Sequence, residues 1–364
     1  EKSTATFKKA LYGRCREIKM KLLITGGAGF IGSNFIRSLL KNHPGFRVTN
    51  FDRLSYAGNL ENLADVCRNE NYRFFQGNIT SKSDVEKCMN RSVDVVMNFA
   101  AESHVDRSIL DTSRFFEANI LGTQVLLEAA RQKKIARFIQ ISTDEVYGSL
   151  GKIGRFTEKS RLAPNSPYGA TKAAADLLCR AYRKTYGMDI IITRCSNNYG
   201  PYQFPEKFIP LMILSALEDK PLPIYGDGLY VRDWIHVKDH CRALRKILVS
   251  GHPGKTYNIG GNQERQNLQV VHQILEILDK PRQLLQFVQD RPGHDRRYSI
   301  DSTLLRKELG WKPKIPFEEG LTKTIQWYCE NSTWLANVQS ESYREFHRLL
   351  YEKREKTLKN ILGP

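Results

Sequence analysis

From residue 20 onward, short unbroken apolar runs alternate with amphipathic segments. "KLLIT", "FRVTNF", "YRFFQGNI", "VDVVMNFA", "ARFIQIST" and "DIIITRC" are separated by "FIRSLLKN", a helical "NLENLADVC", "DVEKCMN", "ILGTQVLLEAARQK" and "PYGATKAAADLLCRAYRKTYG". A strand that is apolar on both faces must be covered on both, and helices between successive strands supply that cover. The expected fold class is α/β, a doubly wound, Rossmann-like parallel sheet over residues 20–200. After "NNYGPYQFPEK" the pattern changes: Pro201, Pro205, Pro210, Pro221 and Pro223 interrupt regular structure, and shorter mixed elements follow. Residues 201–340 are expected to form a smaller, interleaved C-terminal lobe. A return segment near 231–262 is expected to begin with "VRDWIHVKDHCRALRKIL", read as a strand and helix rejoining the main sheet. Residues 341–364 read as a charged helix and tail. Residues 1–19 read as an N-terminal extension, basic but without the apolar stretch of a secretory signal, with Met20 as a natural start.

The seven cysteines (Cys15, Cys67, Cys88, Cys179, Cys195, Cys241, Cys329) are scattered, odd in number and free of C-x-x-C spacing. That pattern argues against a disulfide framework or a zinc site and for a reducing cytoplasm. No apolar run approaches the roughly 18 residues of a membrane span. The formal net charge of +17 suits an anionic small-molecule partner. Lys and Arg form no long run and no stripe interleaved with aromatics, so nucleic acid is not an expected partner.

"LLITGGAGFIG" runs from a strand through Gly27-x-Gly29-x-x-Gly32 into a helix. Such a turn is tight and lets backbone N–H groups approach a pyrophosphate. Asp52 stands 20 positions after Gly32 at the end of the next strand, where a carboxylate accepts hydrogen bonds from a ribose diol and repels a 2′-phosphate. The expected cofactor is NAD rather than NADP, with Arg53 the one neighbour that speaks against it. Further on, "SPYGATK" offers Ser166 as N-cap, Pro167 at the first helical position, and Tyr168 and Lys172 on one helix face. An ammonium beside a phenol favours phenolate, which would make Tyr168 a base for a sugar hydroxyl. In "QISTDEVYGS" two carboxylates, Asp144 and Glu145, follow Thr143 just past an apolar run. They read either as acids at a helix start or as a proton donor and acceptor serving one substrate.

These motifs together resemble the extended short-chain dehydrogenase/reductase family, in its branch of nucleotide-sugar 4,6-dehydratases. The blocks "TGGAGFIGSNFIR", "FAAESHVDRSI", "STDEVYG", "SPYGATKAAAD", "RCSNNYGPYQFPEKFIPL", "PIYGDGLYVRDWIHVKDH", "YNIGGNQERQNLQVV", "DRPGHDRRYSID" and "ELGWKP" carry the resemblance over nearly all of the chain after Met20. It implies a hydro-lyase that passes hydride from sugar C4 to a tightly held NAD, expels water across C5 and C6, and returns the hydride to C6. Glu145 is then the C5 base, Asp144 the acid for the C6 hydroxyl, and Thr143 a hydrogen-bond partner of the C4 oxygen. Which carboxylate keeps the proton at rest stays open. An epimerase needs no such pair, and a decarboxylase relative has Ser where Asp144 stands.

The resemblance also implies cofactor contacts from Gly26, Gly29, Phe30, Ile31 and Gly32, from Asp52, Arg53 and Ser55, from Asn78, Ile79, Ala100 and Ala101, and from Tyr168, Lys172 and Asn198. Asn78 stands where relatives carry Asp and would offer its amide oxygen to an adenine amino group. Substrate contacts are implied for Ser103, Thr143, Asn197, Lys207, Pro223, Tyr225, Arg232, Asn267, Arg291 and His294. The implied substrate is dTDP-glucose, with UDP-glucose and a non-catalytic dinucleotide-binding regulator as competing readings. A homodimer is implied through the helices that begin near Thr112 and Pro167, where "AAADLL" offers an apolar seam. Gly169, where relatives carry Ser, should cost the helix about 1 kcal/mol of propensity.

Overall fold

The computed structural model describes residues 19–89, 92–339 and 341–352, so the expectations for residues 1–18 and 353–364 fall outside it. Seven strands form one all-parallel sheet: β1 (Met20–Thr25), β2 (Phe46–Asp52), β3 (Tyr72–Gln76), β4 (Val95–Asn98), β5 (Arg137–Thr143), β6 (Ile190–Cys195) and β10 (Thr256–Ile259). Their order is β10-β6-β5-β4-β1-β2-β3. β4 and β5 are buried at every position, as their unbroken apolar sequence requires. Helices cover both faces. On one, Phe35, Ile36 and Leu39 of α1 (Phe30–Asn42) share a core with Cys241, Leu244 and Leu248 of a later helix. On the other, Val85 and Cys88 of α2 (Lys82–Cys88) pack with Val125, Leu126 and Ala129 of a helix at Gly122–Gln132. The chain winds outward from β1 to β3 and then returns to β4 beside β1. This reversal leaves a crevice at the C-terminal strand ends, where ligands of such sheets bind.

A second core gathers around shorter elements. β7 (Asn197–Tyr199) pairs with β9 (Val231–His236), which pairs with β11 (Glu264–Gln266), while β8 (Leu222–Tyr225) pairs with β12 (Leu285–Val288). Tyr199, Trp234, Phe317 and Tyr328 fill the centre of this core.

Two segments differ from expectation. β9 was expected to rejoin the main sheet, but the rejoining elements are the helix after it (Val237–Ser250) and β10, whereas β9 joins the three-stranded sheet. The cause lies in its neighbours. Asp233 accepts hydrogen bonds from Gly261 N (3.0 Å) and Gln263 N (2.7 Å), which fold β11 back onto β9. The segment "NLENLADVC" forms only a 3₁₀ turn at Leu60–Leu63. Asn62 is drawn inward there, donating to Ala28 O (2.8 Å) and accepting from Trp334 Nε1 (2.8 Å), which leaves no continuous apolar face for a longer helix.

Candidate active site

Two adjoining cavities, of ≈ 300 Å³ and ≈ 160 Å³, open along the crevice and share Ser103, Glu145, Asn197, Glu206 and Lys207 in their walls. The larger one is lined by each of the fifteen residues expected to touch cofactor, and by Thr143, Asp144 and Glu145. The smaller one is lined by Pro223, Tyr225, Arg232, Asn267, Arg291 and His294. Every residue expected at the site therefore faces one of the two.

The glycine loop divides its labour. Gly26 has φ +67°, and a Cβ there would lie 2.6 Å from Ala100 N, so only glycine fits. A Cβ on Gly32 would come within 2.4 Å of Gly26 O, so this position sets how closely the helix packs on the turn. A Cβ on Gly29 would meet just one atom, Gly26 O at 3.3 Å, and would otherwise fill the cavity. Gly29 is also the N-cap of α1 and supplies no side-chain cap, so the first-turn N–H groups remain available to an anion. Asp52 ends β2 and accepts from Ala28 N and Leu54 N, both at 2.9 Å, which fixes its carboxylate beside that loop. Arg53 is ion-paired with buried Glu102 and so is already neutralised. The Asn78 amide oxygen accepts from Thr80 N (3.1 Å), so it reaches an adenine only with its second lone pair. The cleft therefore fits a dinucleotide: an uncapped helix start, a glycine cradle and a fixed carboxylate follow one another along it.

The chemical end forms where β5 stops. Thr143, its last residue, N-caps the 3₁₀ turn Asp144–Tyr147 by accepting from Glu145 N (3.3 Å). Capping is thus done by the threonine, and the two carboxylates are left for other work. Asp144 Oδ2 and Glu145 Oε2 are both buried and without a hydrogen-bond partner among the described residues. Burial raises the pKa of both, but unequally. Asp144 is pushed well above the usual carboxylate range, first by burial and then by Glu145 and Asp233. On Glu145 the burial effect is opposed by Arg291, Arg232 and Lys207. Of the two, Asp144 is the more disfavoured as a carboxylate, while cations surround Glu145.

α5 (Pro167–Tyr186; the helices between α2 and α5 are α3, Val105–Leu110, and α4, Gly122–Gln132) begins as its sequence suggests. Ser166 Oγ accepts from Gly169 N (3.0 Å), and Pro167 sits in the first turn. Gly169 has a reason to be small, since a Cβ would lie 3.0 Å from Glu145 O. Tyr168 and Lys172 both line the cavity, yet the phenolate expected from their pairing is not what the protein side chains alone produce. Tyr168 is pushed well above its usual pKa, by burial first and by Glu145 next, with a hydrogen bond to Thr143 pulling the other way. Lys172 donates to Ile141 O (2.6 Å), and burial lowers its pKa against the influence of Asp176.

Cations line the smaller cavity. Lys207 Nζ donates to Ser103 O (2.6 Å), Arg232 lies over Tyr298 (4.4 Å to the ring centroid), and Arg291 Nη1 donates to Asp106 Oδ2 (3.1 Å). Arg232 Nη2, Arg291 Nε, Asn197 Oδ1 and Asn267 Oδ1 are buried and without partners among the described residues. Four such atoms converging on one cavity mark the footprint of a polar ligand. The His294 pKa is lowered to about 4 by burial against a hydrogen bond with Asp290 (2.7 Å), and its ring stacks on Tyr230 at 3.7 Å. Sequence reasoning missed the supporting carboxylates: Glu102 on Arg53, Asp106 on Arg291, and Glu206 on Arg107 (2.8 Å). Two of them lie in the quoted block "FAAESHVDRSI", but their partners are between 49 and 185 residues away.

The chain as a whole is similar to known proteins. The GDP-mannose 4,6 dehydratase family matches residues 23–324. A dTDP-glucose 4,6-dehydratase of Xanthomonas campestris pv. campestris is 50% identical over 341 residues, covering 88% of this chain and 97% of the relative. One from Salmonella typhimurium is 49% identical over 362 residues, 92% of this chain and all of the relative. Among solved structures, the dTDP-glucose 4,6-dehydratase DesIV of Streptomyces venezuelae, with NAD bound, superposes with a TM-score of 0.85 at 48% identity, covering 86% of this chain and 98% of that one. The UDP-glucose 4-epimerase of Thermus thermophilus, in complex with NAD, gives 0.80 at 31% identity, covering 86% of this chain and 100% of that one. The chain belongs to the GDP-mannose 4,6 dehydratase family and, within it, groups with the dTDP-glucose 4,6-dehydratases.

Proposed function

We propose that the protein converts dTDP-glucose to dTDP-4-keto-6-deoxyglucose with NAD held in the larger cavity. The observation that carries this reading is the pair Asp144 and Glu145: two adjacent carboxyls, each with a buried oxygen unpartnered among the described residues, in the wall of the larger cavity beside the glycine loop. An epimerase that only removes and returns hydride at C4 has no use for that pair. Residues 20–200 with the return segment near 231–262 would hold the dinucleotide, and residues 201–340 the sugar nucleotide. Arg232, Arg291 and Lys207 are suited to its diphosphate, and Ser103, Asn197 and Asn267 offer polar groups around it.

NAD bound there supplies a hydride acceptor for sugar C4 and a donor for C6, and its positively charged ring would lower the Tyr168 pKa that burial raises. Tyr168 takes the proton of the C4 hydroxyl, with Thr143 hydrogen-bonded to that oxygen. Glu145 then removes the proton from C5, which the new C4 carbonyl has acidified. Asp144 protonates the C6 hydroxyl as it leaves as water, and Glu145 would return its proton to C5 as the hydride reaches C6. Lys172, tied to Ile141 O, stands in the same cavity wall as Tyr168. Arg53, neutralised by Glu102, has no charge to spare for a 2′-phosphate, which supports NAD over NADP.

One surface feature supports a homodimer. Phe116 and Leu121, in the π turn Phe116–Leu121 just before α4, and Leu177 and Tyr186 on α5 are large apolar side chains exposed on helices that pack together. Free thiols at the described cysteines support a reducing cytoplasmic setting. Among the described residues no helix is long and apolar enough to cross a membrane.

The test is incubation with dTDP-glucose and no added reductant. A 4-keto-6-deoxy product supports the reading. Unchanged sugar, or a C4 epimer, overturns it. A parallel incubation with UDP-glucose measures the base preference.

A further inference from the structure

The family match ends at residue 324, yet the smaller cavity is completed by a residue well beyond it, Tyr351. We infer that the C-terminal segment 343–351 is a strap forming the outer wall of the substrate cavity, and that the Tyr351 ring contacts the nucleoside end of the substrate.

The strap is anchored at three places. The Tyr343 ring meets Phe204 edge-on at 5.8 Å and is buried. Phe346 is buried beneath the Arg107 guanidinium, 3.6 Å from its ring centroid, and edge-on to His104 at 5.6 Å. Leu350 is 5% exposed, and the half-buried Tyr351 follows it. These anchors belong to the site's own framework. Arg107 is paired with Glu206, the neighbour of Lys207, and His104 follows Ser103. The strap therefore registers on the groups that shape the cavity, not on a remote surface.

Tyr351 lines the smaller cavity alone, whereas Glu145 stands in the wall the two cavities share. The Tyr351 ring is 6.2 Å from that of Tyr225, and the two hydroxyl oxygens are 3.5 Å apart. Tyr225 also faces His294 edge-on at 6.1 Å and reaches Asp106 at 3.4 Å. With Glu145 and Asn197 at the hexose end and the cations between, the space bounded by Tyr225 and Tyr351 is where the base and ribose extend. Two phenol rings converging on a flat heteroaromatic ligand make a stacking wall that does not depend on the reacting sugar. A wall built outside the shared family core can set nucleotide preference while leaving the chemistry untouched.

The inference rests on the proposed function and is tested on full-length NAD-loaded protein with dTDP as the binding probe, by calorimetry, and with dTDP-glucose in steady-state kinetics. Tyr351→Ala should weaken dTDP binding and raise KM about tenfold, with a much smaller fall in kcat, as loss of a base-stacking ring implies. Tyr351→Phe should restore both to near wild-type, because the ring makes the contact. Wild-type affinity and KM in Tyr351→Ala would overturn the strap's role while leaving the proposed function standing, as would an equal loss in Tyr351→Phe. A wild-type protein that neither binds dTDP nor converts dTDP-glucose would overturn both.

Discussion

If Asp144 is held neutral and Glu145 is the charged member of the pair, removing Asp144's ionisable group should change how stability depends on pH. Asp144 has a folded-state pKa well above its ordinary value of 3.8. Above about pH 4 the unfolded chain has released this proton while the folded protein keeps it. The wild type therefore loses stability as pH rises through that window, by up to about 1.4 kcal/mol per pH unit from this group, until the folded pKa is passed. Asp144→Asn keeps the shape and neutrality of the protonated acid but has no proton to release. Its unfolding free energy should match wild type near pH 4 and then gain on it steadily. Asp176, a buried carboxyl with raised pKa whose own partners are Arg194, Lys172 and Ser142, contributes equally to both proteins and cancels in the difference. Glu145→Gln should show a shallower gain, because Arg291, Arg232 and Lys207 oppose the rise of its pKa and would lose their counter-charge. Urea unfolding followed by tryptophan fluorescence at pH 5, 6, 7 and 8 reads this directly. In parallel, Asp144→Asn should lose about 10²–10⁴-fold in turnover as a missing general acid. A flat difference for Asp144→Asn, or a steeper one for Glu145→Gln, would place the resting proton on Glu145 and refute the assignment.

Three further outcomes are expected. Tyr168→Phe should lower turnover about 10²–10⁴-fold while the NAD released on denaturation stays at the wild-type amount; undiminished turnover would remove Tyr168 from the mechanism. Arg194 is buried, 2.9 Å from Asp176 and 2.9 Å from the Tyr147 hydroxyl, so Arg194→Met should strand a buried carboxylate and cost about 3–5 kcal/mol of stability; an unchanged urea midpoint would contradict this. Charging the exposed helical face with Phe116→Glu and Leu177→Glu together should halve the mass seen in sedimentation equilibrium, and a wild type already monomeric would refute the dimer.

The main sheet was readable because its strands are buried on both faces and so carry unbroken apolar runs, while each helix start carries a local signal such as Ser166-Pro167. The positions proposed as catalytic, all in the wall of the larger cavity, were readable for a related reason: Thr143, Asp144 and Glu145, and Tyr168 and Lys172, are neighbours along the chain or along one helix face. What escaped depends on distance along the chain. β9 reads as a main-sheet strand because "VRDWIH" is apolar enough for either place, and only Asp233 gripping Gly261 and Gln263 decides. The neutralisation of Arg53 by Glu102 and the support of Arg291 by Asp106 join residues with no common local pattern. The upward push of burial on the Tyr168 pKa also could not be read from the Tyr–Lys spacing, and the Lys172 ammonium is turned to Ile141 O.

The central claim is that one hydrogen leaves C4 and arrives at C6 of the same sugar. dTDP-glucose carrying deuterium at C4, converted in ordinary water and examined by mass spectrometry and NMR, should yield a 4-keto product with the deuterium in its C6 methyl group. Deuterium lost to solvent, trapped in released reduced cofactor, or retained at C4 of an epimer would contradict the account.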